Sequence, residues 1–176
     1  MTSAEEFVEF ATAVSARLRR TAFLLCGDWQ AAEDLTQATL AKVFVSWRRV
    51  SRREAALAYA TRTLVNTYLA DRRRRRVAEL LTDRLPDRQA EPGTPELRIM
   101  MLDALAALSP RARAVVVLRY WEDLSVEQVA TLLGCSPGNV KSQSARALAR
   151  LRAMLGDAVA ARSPDERPDA GDPRHG

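Results

Sequence analysis

Apolar residues recur at intervals of three and four along most of the chain, the spacing of a single buried face on an α-helix. Phe7, Phe10, Ala11, Val14, Leu18, Ala22 and Leu25 mark a first helix, which Gly27 breaks. Asp28 then offers an N-cap for a second helix, from about Trp29 to Trp47. Leu40, Phe44 and Trp47 share one face of it, and Asp34 and Gln37, three apart, share another. Ser51-Arg52-Arg53-Glu54 has the form of a capping box. It opens a third helix through Tyr59, Leu64, Val65 and Leu69 into the run Arg72 to Arg76. Three helices in about 70 residues make a small all-α domain.

The pattern then stops. Leu85 to Pro95 holds three prolines and a glycine with few apolar residues, which reads as a flexible linker. Thr94 and Pro95 suit the N-cap and first turn of a new helix, with Leu97, Met101, Ala104, Leu105 and Leu108 as its buried stripe. Ser109-Pro110 repeats that start signal before Val115, Val116 and Leu118. Ser125 and Gln128 form another capping box, Gly134 ends that short helix, and Ser136-Pro137 begins the last, to about Leu155. Beyond Gly156 the chain is rich in Pro, Asp and Arg without an apolar stripe, and a disordered tail is expected. The fold class is thus all-α: two small helical domains at 1–76 and 97–156, an acidic linker at 77–96 and a tail at 157–176.

A helix of about eight residues, a tight turn and a longer helix between Leu124 and Leu151 is the shape of a helix-turn-helix. Ala130 is small where the two helices must cross, Gly134 can supply a positive φ, and Val140 can plug the second helix onto the first. On the second helix Val140, Ala147, Leu148 and Leu151 point inward. Asn139, Lys141, Ser142, Gln143, Arg146 and Arg150 remain outside. Asn, Ser and Gln suit base edges, whereas Lys and Arg mainly hold phosphates.

Charge changes the picture. The chain of 176 residues carries a net charge of +5, unevenly spread. Residues 1–76 are net +6, 77–96 net −3, 97–156 net +4 and 157–176 net −2. Arg72 to Arg76 is unbroken, and Lys141, Arg146, Arg150 and Arg152 lie in a stretch without an acid, the footprint of a polyanionic partner. In the first domain Tyr59 and Tyr68 flank Asn66 just before the arginine run, so stacking faces and backbone charge for a single strand sit together. The sequence therefore suggests one duplex reader and one strand reader.

Composition removes other classes. Apolar residues are 47% but aromatics only 6%, so the core is built from Leu, Val and Ala. No apolar run reaches the length of a membrane span, and the acidic start Met1 to Glu6 lacks the apolar segment of a signal peptide, so a cytoplasmic protein is expected. Cys26 and Cys135 are isolated and read as small apolar residues, and the one histidine is His175, which argues against a zinc site or a His-based triad. Glu33 and Asp34 have no second acid cluster to share a metal with, so neither nuclease chemistry, a cofactor nor a small-molecule substrate is expected. A stand-alone helix-turn-helix repressor or activator is the alternative.

The span from about Phe7 to Leu155 resembles the two-domain extracytoplasmic-function sigma factors of the sigma-70 family, in particular an actinobacterial subgroup. Ala32-Glu33-Asp34-Leu35-Thr36-Gln37 is similar to that family's polymerase-binding helix. Tyr59 through Arg75, with Val65-Asn66-Thr67, is similar to its −10 element reader, and Leu108 through Ser142 to its −35 domain. Ala38 stands where the family often has an acid, and Asn139 and Gln143 where it often has Thr and Arg. The resemblance implies core RNA polymerase and promoter DNA as partners, with an anti-sigma factor as a further candidate. It implies polymerase contacts at Asp34 and Gln37, −10 contacts at Tyr59, Arg62, Asn66, Arg72 and Arg73, and −35 contacts on the outer face of the last helix. Asn66 falls where a flipped-out base is held.

Overall fold

Helix boundaries in this chain lie where a side chain or a glycine satisfies the end of the backbone. The computed structural model describes residues 2–50, 53–81 and 96–162. Helix α1, Ser3–Cys26, starts in a capping box between Thr2 and Glu5 and ends at Gly27, whose φ of 76° only glycine adopts at ease. Helix α2, Trp29–Ser46, starts at Asp28, whose carboxylate accepts from the Ala31 amide at 2.7 Å. It ends one residue before the predicted Trp47, which opens a short 3₁₀ turn to Arg49. Helix α3, Arg53–Leu81, carries the arginine run and continues past it. The capping box predicted from Ser51 lies outside the described residues, as do Thr94-Pro95, the linker over 82–95 and the tail from 163.

Helix α4 spans Glu96–Ala106 and α5 spans Pro110–Val116, the latter capped by Ser109. The chain then widens into a π-type turn over Val117–Trp121, closed by the Glu122 amide donating to the Val117 carbonyl at 3.0 Å. Helix α6, Val126–Leu133, and α7, Pro137–Arg162, complete the chain. Helix α7 runs beyond the predicted end at Leu155, because Asp157-Ala-Val-Ala-Ala-Arg162 is made mostly of good helix formers. Among the described residues there is no strand, and no helix is long and apolar enough to cross a membrane.

In the first domain α1, α2 and α3 bury Leu18, Ala22, Leu25, Ala32, Val43, Leu64 and Val65. Phe7, Phe10 and Trp47 close one end, with ring centroids 4.9–5.4 Å apart. In the second, Ala104, Leu105 and Leu108 of α4 and its following turn pack on Ala147 and Leu151 of α7. Leu97 and Met101, predicted in the same stripe, are 66% and 41% exposed. The buried part of the stripe is thus its C-terminal end, Ala104, Leu105 and Leu108.

The two domains do not stand apart. Leu18 and Leu25 of α1, Ala60 and Leu64 of α3, Val115 and Leu118, and Val129 of α6 belong to one continuous apolar core. Arg113 of α5 is buried at this seam, its Nε donating to the Leu24 carbonyl at 2.6 Å. Glu122 is buried there too, against Arg17 and Thr21 of α1. The two helical domains expected from the sequence are present, and they pack face to face.

Candidate nucleic-acid interface

The helix-turn-helix is assembled from local joints. Ser125 and Gln128 exchange bonds, the Ser125 amide donating to Gln128 Oε1 at 2.7 Å and the Gln128 amide to Ser125 Oγ at 3.1 Å. Gly134 ends α6 at φ 61°. A Cβ there would meet nothing within 4 Å, so glycine is needed for its conformation and not for space. Arg111 of α5 donates to the Leu133 carbonyl at 3.1 Å, placing a cation on the negative end of α6. Ser136 caps α7 by accepting from the Asn139 amide at 3.2 Å. Ala130 and Val140 are both buried at the crossing, as their spacing predicts.

Of the predicted inward residues on α7, Val140, Ala147 and Leu151 are buried and Leu148 is half-buried; Ser144 joins them inside. Asn139, Lys141, Ser142, Arg146 and Arg150 are exposed, and Gln143 is half-buried. The Gln143 amide donates to Asn139 Oδ1 one turn earlier, so these two polar side chains form one unit. Arg146 Nε leans back onto the Ser142 carbonyl at 3.3 Å. The face carries amides and a hydroxyl at its N-terminal end and cations along its flank, which matches base edges and phosphates respectively.

On α3 the helical repeat puts Tyr59, Arg62, Asn66 and Arg73 within about a sixth of a turn of one another. All four are exposed, Tyr59 at the margin. Arg72 lies off this stripe and stacks its guanidinium 5.6 Å from the centre of the Tyr68 ring. Tyr68 itself is only 3% exposed, which corrects the expectation that it offers a stacking face. Its ring belongs to the core, and burial raises its phenol pKa, against the lowering effect of Arg113 and Arg72. Cys26 lies in the same region, its thiol likewise raised by burial against Arg72, Arg113 and Arg75. One residue was missed from the sequence. Lys42 of α2 donates to Thr67 Oγ1 at 2.9 Å and brings a cation beside Asn66 of α3. It and Lys141 are the two lysines of the whole chain, which was the available signal.

Asp34 and Gln37 are exposed on α2, opposite a face that buries Ala32, Leu35, Thr36, Thr39 and Val43. Each is bonded one turn back, Gln30 to Asp34 at 3.1 Å and Gln37 to Glu33 at 3.1 Å. The sites are not all equally open. A cleft of 630 Å³ runs between α3 and α6, with Tyr59 and Arg62 on one wall and Leu124, Glu127 and Thr131 on the other. Among the described residues no three His, Cys, Asp or Glu side chains come together to hold a metal ion.

Comparison with known proteins agrees with this arrangement. The pattern described as Sigma-70 region 2 matches residues 10–77, and that described as Sigma-70, region 4 matches residues 98–151. The RNA polymerase sigma-E factor of Streptomyces antibioticus is 41% identical over 155 residues, covering 85% of this chain and 86% of its own. The ECF RNA polymerase sigma factor SigL of Mycobacterium tuberculosis is 32% identical over 148 residues, covering 80% and 84%. Among solved structures, the sigma factor RpoE of Bartonella quintana, in complex with the anti-sigma factor NepR, is similar with a TM-score of 0.71 and 27% identity over 86% of this chain and 98% of that one. With both halves matched, and in this order, the chain belongs to the sigma-70 family, as an RNA polymerase sigma factor of the extracytoplasmic-function type built from regions 2 and 4.

Proposed function

We propose that this sigma factor docks on core RNA polymerase through the α2 face bearing Asp34 and Gln37, and reads a promoter at two places with two chemistries. Helix α7 enters the major groove at the −35 element, with the Asn139–Gln143 unit and Ser142 toward base edges and Lys141, Arg146 and Arg150 toward phosphates. The α3 stripe of Tyr59, Arg62, Asn66 and Arg73 receives the non-template strand as the −10 element opens, with Arg72 and Lys42 adding charge at its side. Asn66 takes an extruded base. Extrusion costs a few kcal/mol, which a pocket returns through stacking and hydrogen bonds. Linking the two readers in one chain raises the effective concentration of the second once the first is bound.

The observation that carries this reading is the pair of exposed polar stripes, one on each domain, each backed by a mainly apolar buried face. One stripe is rich in amides and hydroxyls beside cations, the other in aromatic and arginine side chains. Work on the cytoplasmic polymerase follows from it, and an anti-sigma factor that covers these stripes is a natural antagonist. Run-off transcription with core polymerase tests the reading. Asn66→Ala should lower initiation on a fully duplexed promoter and be partly rescued on one with a pre-melted −10 bubble. Wild-type output on both templates removes Asn66 from the site.

A further inference from the structure

The polar residues of α7 follow a line. Asn139, Gln143, Arg146 and Arg150 fall within about a sixth of a turn of one another at the α-helical repeat. Val140, Ala147 and Leu151, about a quarter of a turn away, are buried. Amides occupy the N-terminal end of the line and guanidiniums the rest. The N-terminal residues of a recognition helix are the ones that meet base edges. Asn139 and Gln143 stand there, within the first two turns of a helix that begins at Pro137.

The two amides are not independent. Gln143 Nε2 donates to Asn139 Oδ1. That bond uses the carbonyl of one side chain and an N–H of the other. It leaves Gln143 Oε1 as a free acceptor and the Asn139 amino group as a free donor. Turning both amides over exchanges their parts and leaves the same two kinds of group. Gln143 is half-buried, and the bond fixes the exposed amide of Asn139 against it. Less side-chain freedom is therefore lost when the pair enters a groove.

A joined pair with one acceptor and one donor to offer has a definite complement among the bases. In the major groove adenine shows an acceptor, N7, beside a donor, the N6 amino group. Guanine shows two acceptors, so its O6 would face the free carbonyl with no proton between them. Cytosine offers the donor alone, and thymine an acceptor and a methyl group. We propose that Asn139 and Gln143 read the −35 element as one hydrogen-bonded unit, and that this unit selects a single adenine. Its free N–H donates to N7 and its free carbonyl accepts from the N6 amino group. The inference rests on the placing of α7 in the major groove proposed above, and goes beyond it in naming the base.

The test uses holoenzyme, formed from core polymerase and the full chain, on duplex promoters that vary one −35 base at a time. Wild type should prefer adenine at one position by about 5- to 150-fold. In that position 7-deazaadenine, which lacks the N7 acceptor, and purine, which lacks the N6 amino group, should each remove most of the preference. Asn139→Ala, Gln143→Ala and the double variant should lose it to about the same degree, whereas losses at independent readers multiply. Their salt slopes should stay at the wild-type value, since neither amide neutralises a phosphate. Gln143→Arg should move the preference at that position toward guanine, whose O6 and N7 a guanidinium matches. Far-ultraviolet circular dichroism checks that each variant keeps its helix content. Single losses that multiply in the double variant overturn the unit. Full affinity for both 7-deazaadenine and purine overturns the choice of adenine. In either case α7 stays in the groove if Arg150→Ala weakens all sequences alike. Wild-type binding by Arg150→Ala, together with indifference to every −35 base, refutes the placing of α7 and this inference with it.

Discussion

The helix-turn-helix and the seam between the domains are both held by polar contacts to helix ends, but they are held at very different range. The joints of the first mostly link residues three or four apart, Ser125 with Gln128, Gly134 with Ala130 and Ser136 with Asn139, and the longest, Arg111 with Leu133, spans 22. The seam joins Arg17 to Glu122 and Leu24 to Arg113, 105 and 89 residues apart. Local joints are remade whenever the helices form, so the DNA-reading unit keeps its shape whatever its surroundings. Long-range joints exist only in one arrangement of the domains. The helix-turn-helix is therefore held by its own sequence, whereas the seam depends on how the two domains are placed.

The largest effect expected on this contrast comes from Leu118→Ala. Leu118 is fully buried in the core the domains share, and its truncation should destabilise by about 2–5 kcal/mol in urea unfolding. A loss confined to a few tenths would mean that the shared core is not closed in solution. On the DNA side, Gln143→Ala should cost about 1–3 kcal/mol for the preferred base at one −35 position, whereas Arg150→Ala should weaken all sequences alike and lower the salt slope by about one. Holoenzyme binding to single-base variants at several salt concentrations separates them; equal loss for Gln143→Ala across the panel would make it a positioning residue only. Gly134→Ala should cost about 1–2 kcal/mol, because the penalty is left-handed backbone alone, and Gly134→Asn less. Equal melting temperatures for glycine and alanine there would show that the turn has another conformation open to it.

Among the described residues the two groups with raised pKa values, Cys26 and Tyr68, both lie in the first domain, which gives a pH test of the same contrast. In the unfolded chain Cys26 and Tyr68 ionise at their ordinary values of 9.0 and 10.0, in the folded one only above them. The unfolded state thus loses protons first, and stability should fall as pH rises above about 9. The Cys26→Ala/Tyr68→Phe variant should show a shallower decline, and an unchanged slope would place the titrating groups elsewhere. The smallest effect is expected at Asp34 and Gln37. Replacing both with Ala should move stability by no more than about 0.5 kcal/mol while weakening capture of core polymerase. Undiminished capture would take the polymerase contact off this face.

What could be read from the sequence follows the same division by range. The helix order, the caps at Asp28, Ser109, Ser125 and Ser136, and the inward and outward sides of α7 were legible, because each depends on residues a turn or two apart. Tyr59, Arg62 and Asn66 were picked out together by the resemblance, and all three are exposed. Periodicity tells which side of a helix is apolar, but not which of its residues a neighbour covers, and so Leu97 and Met101 were misplaced. Nor does it tell that an aromatic beside arginines is covered, as Tyr68 is. Arg113 and Glu122 look like surface charges in the sequence, and only the packing of α5 and the π-type turn on α1 turns them inward.

The two lysines have a practical consequence. Lys42 and Lys141 are exposed, one bonded at Thr67 next to Asn66 and the other on the outer face of α7. In a chain whose remaining 25 basic residues are arginines, an amine-selective acylating reagent meets just one side chain in each half. Mass-spectrometric footprinting of those two amines reads the occupancy of the two surfaces proposed to meet the promoter separately, in one unlabelled protein and without an engineered probe.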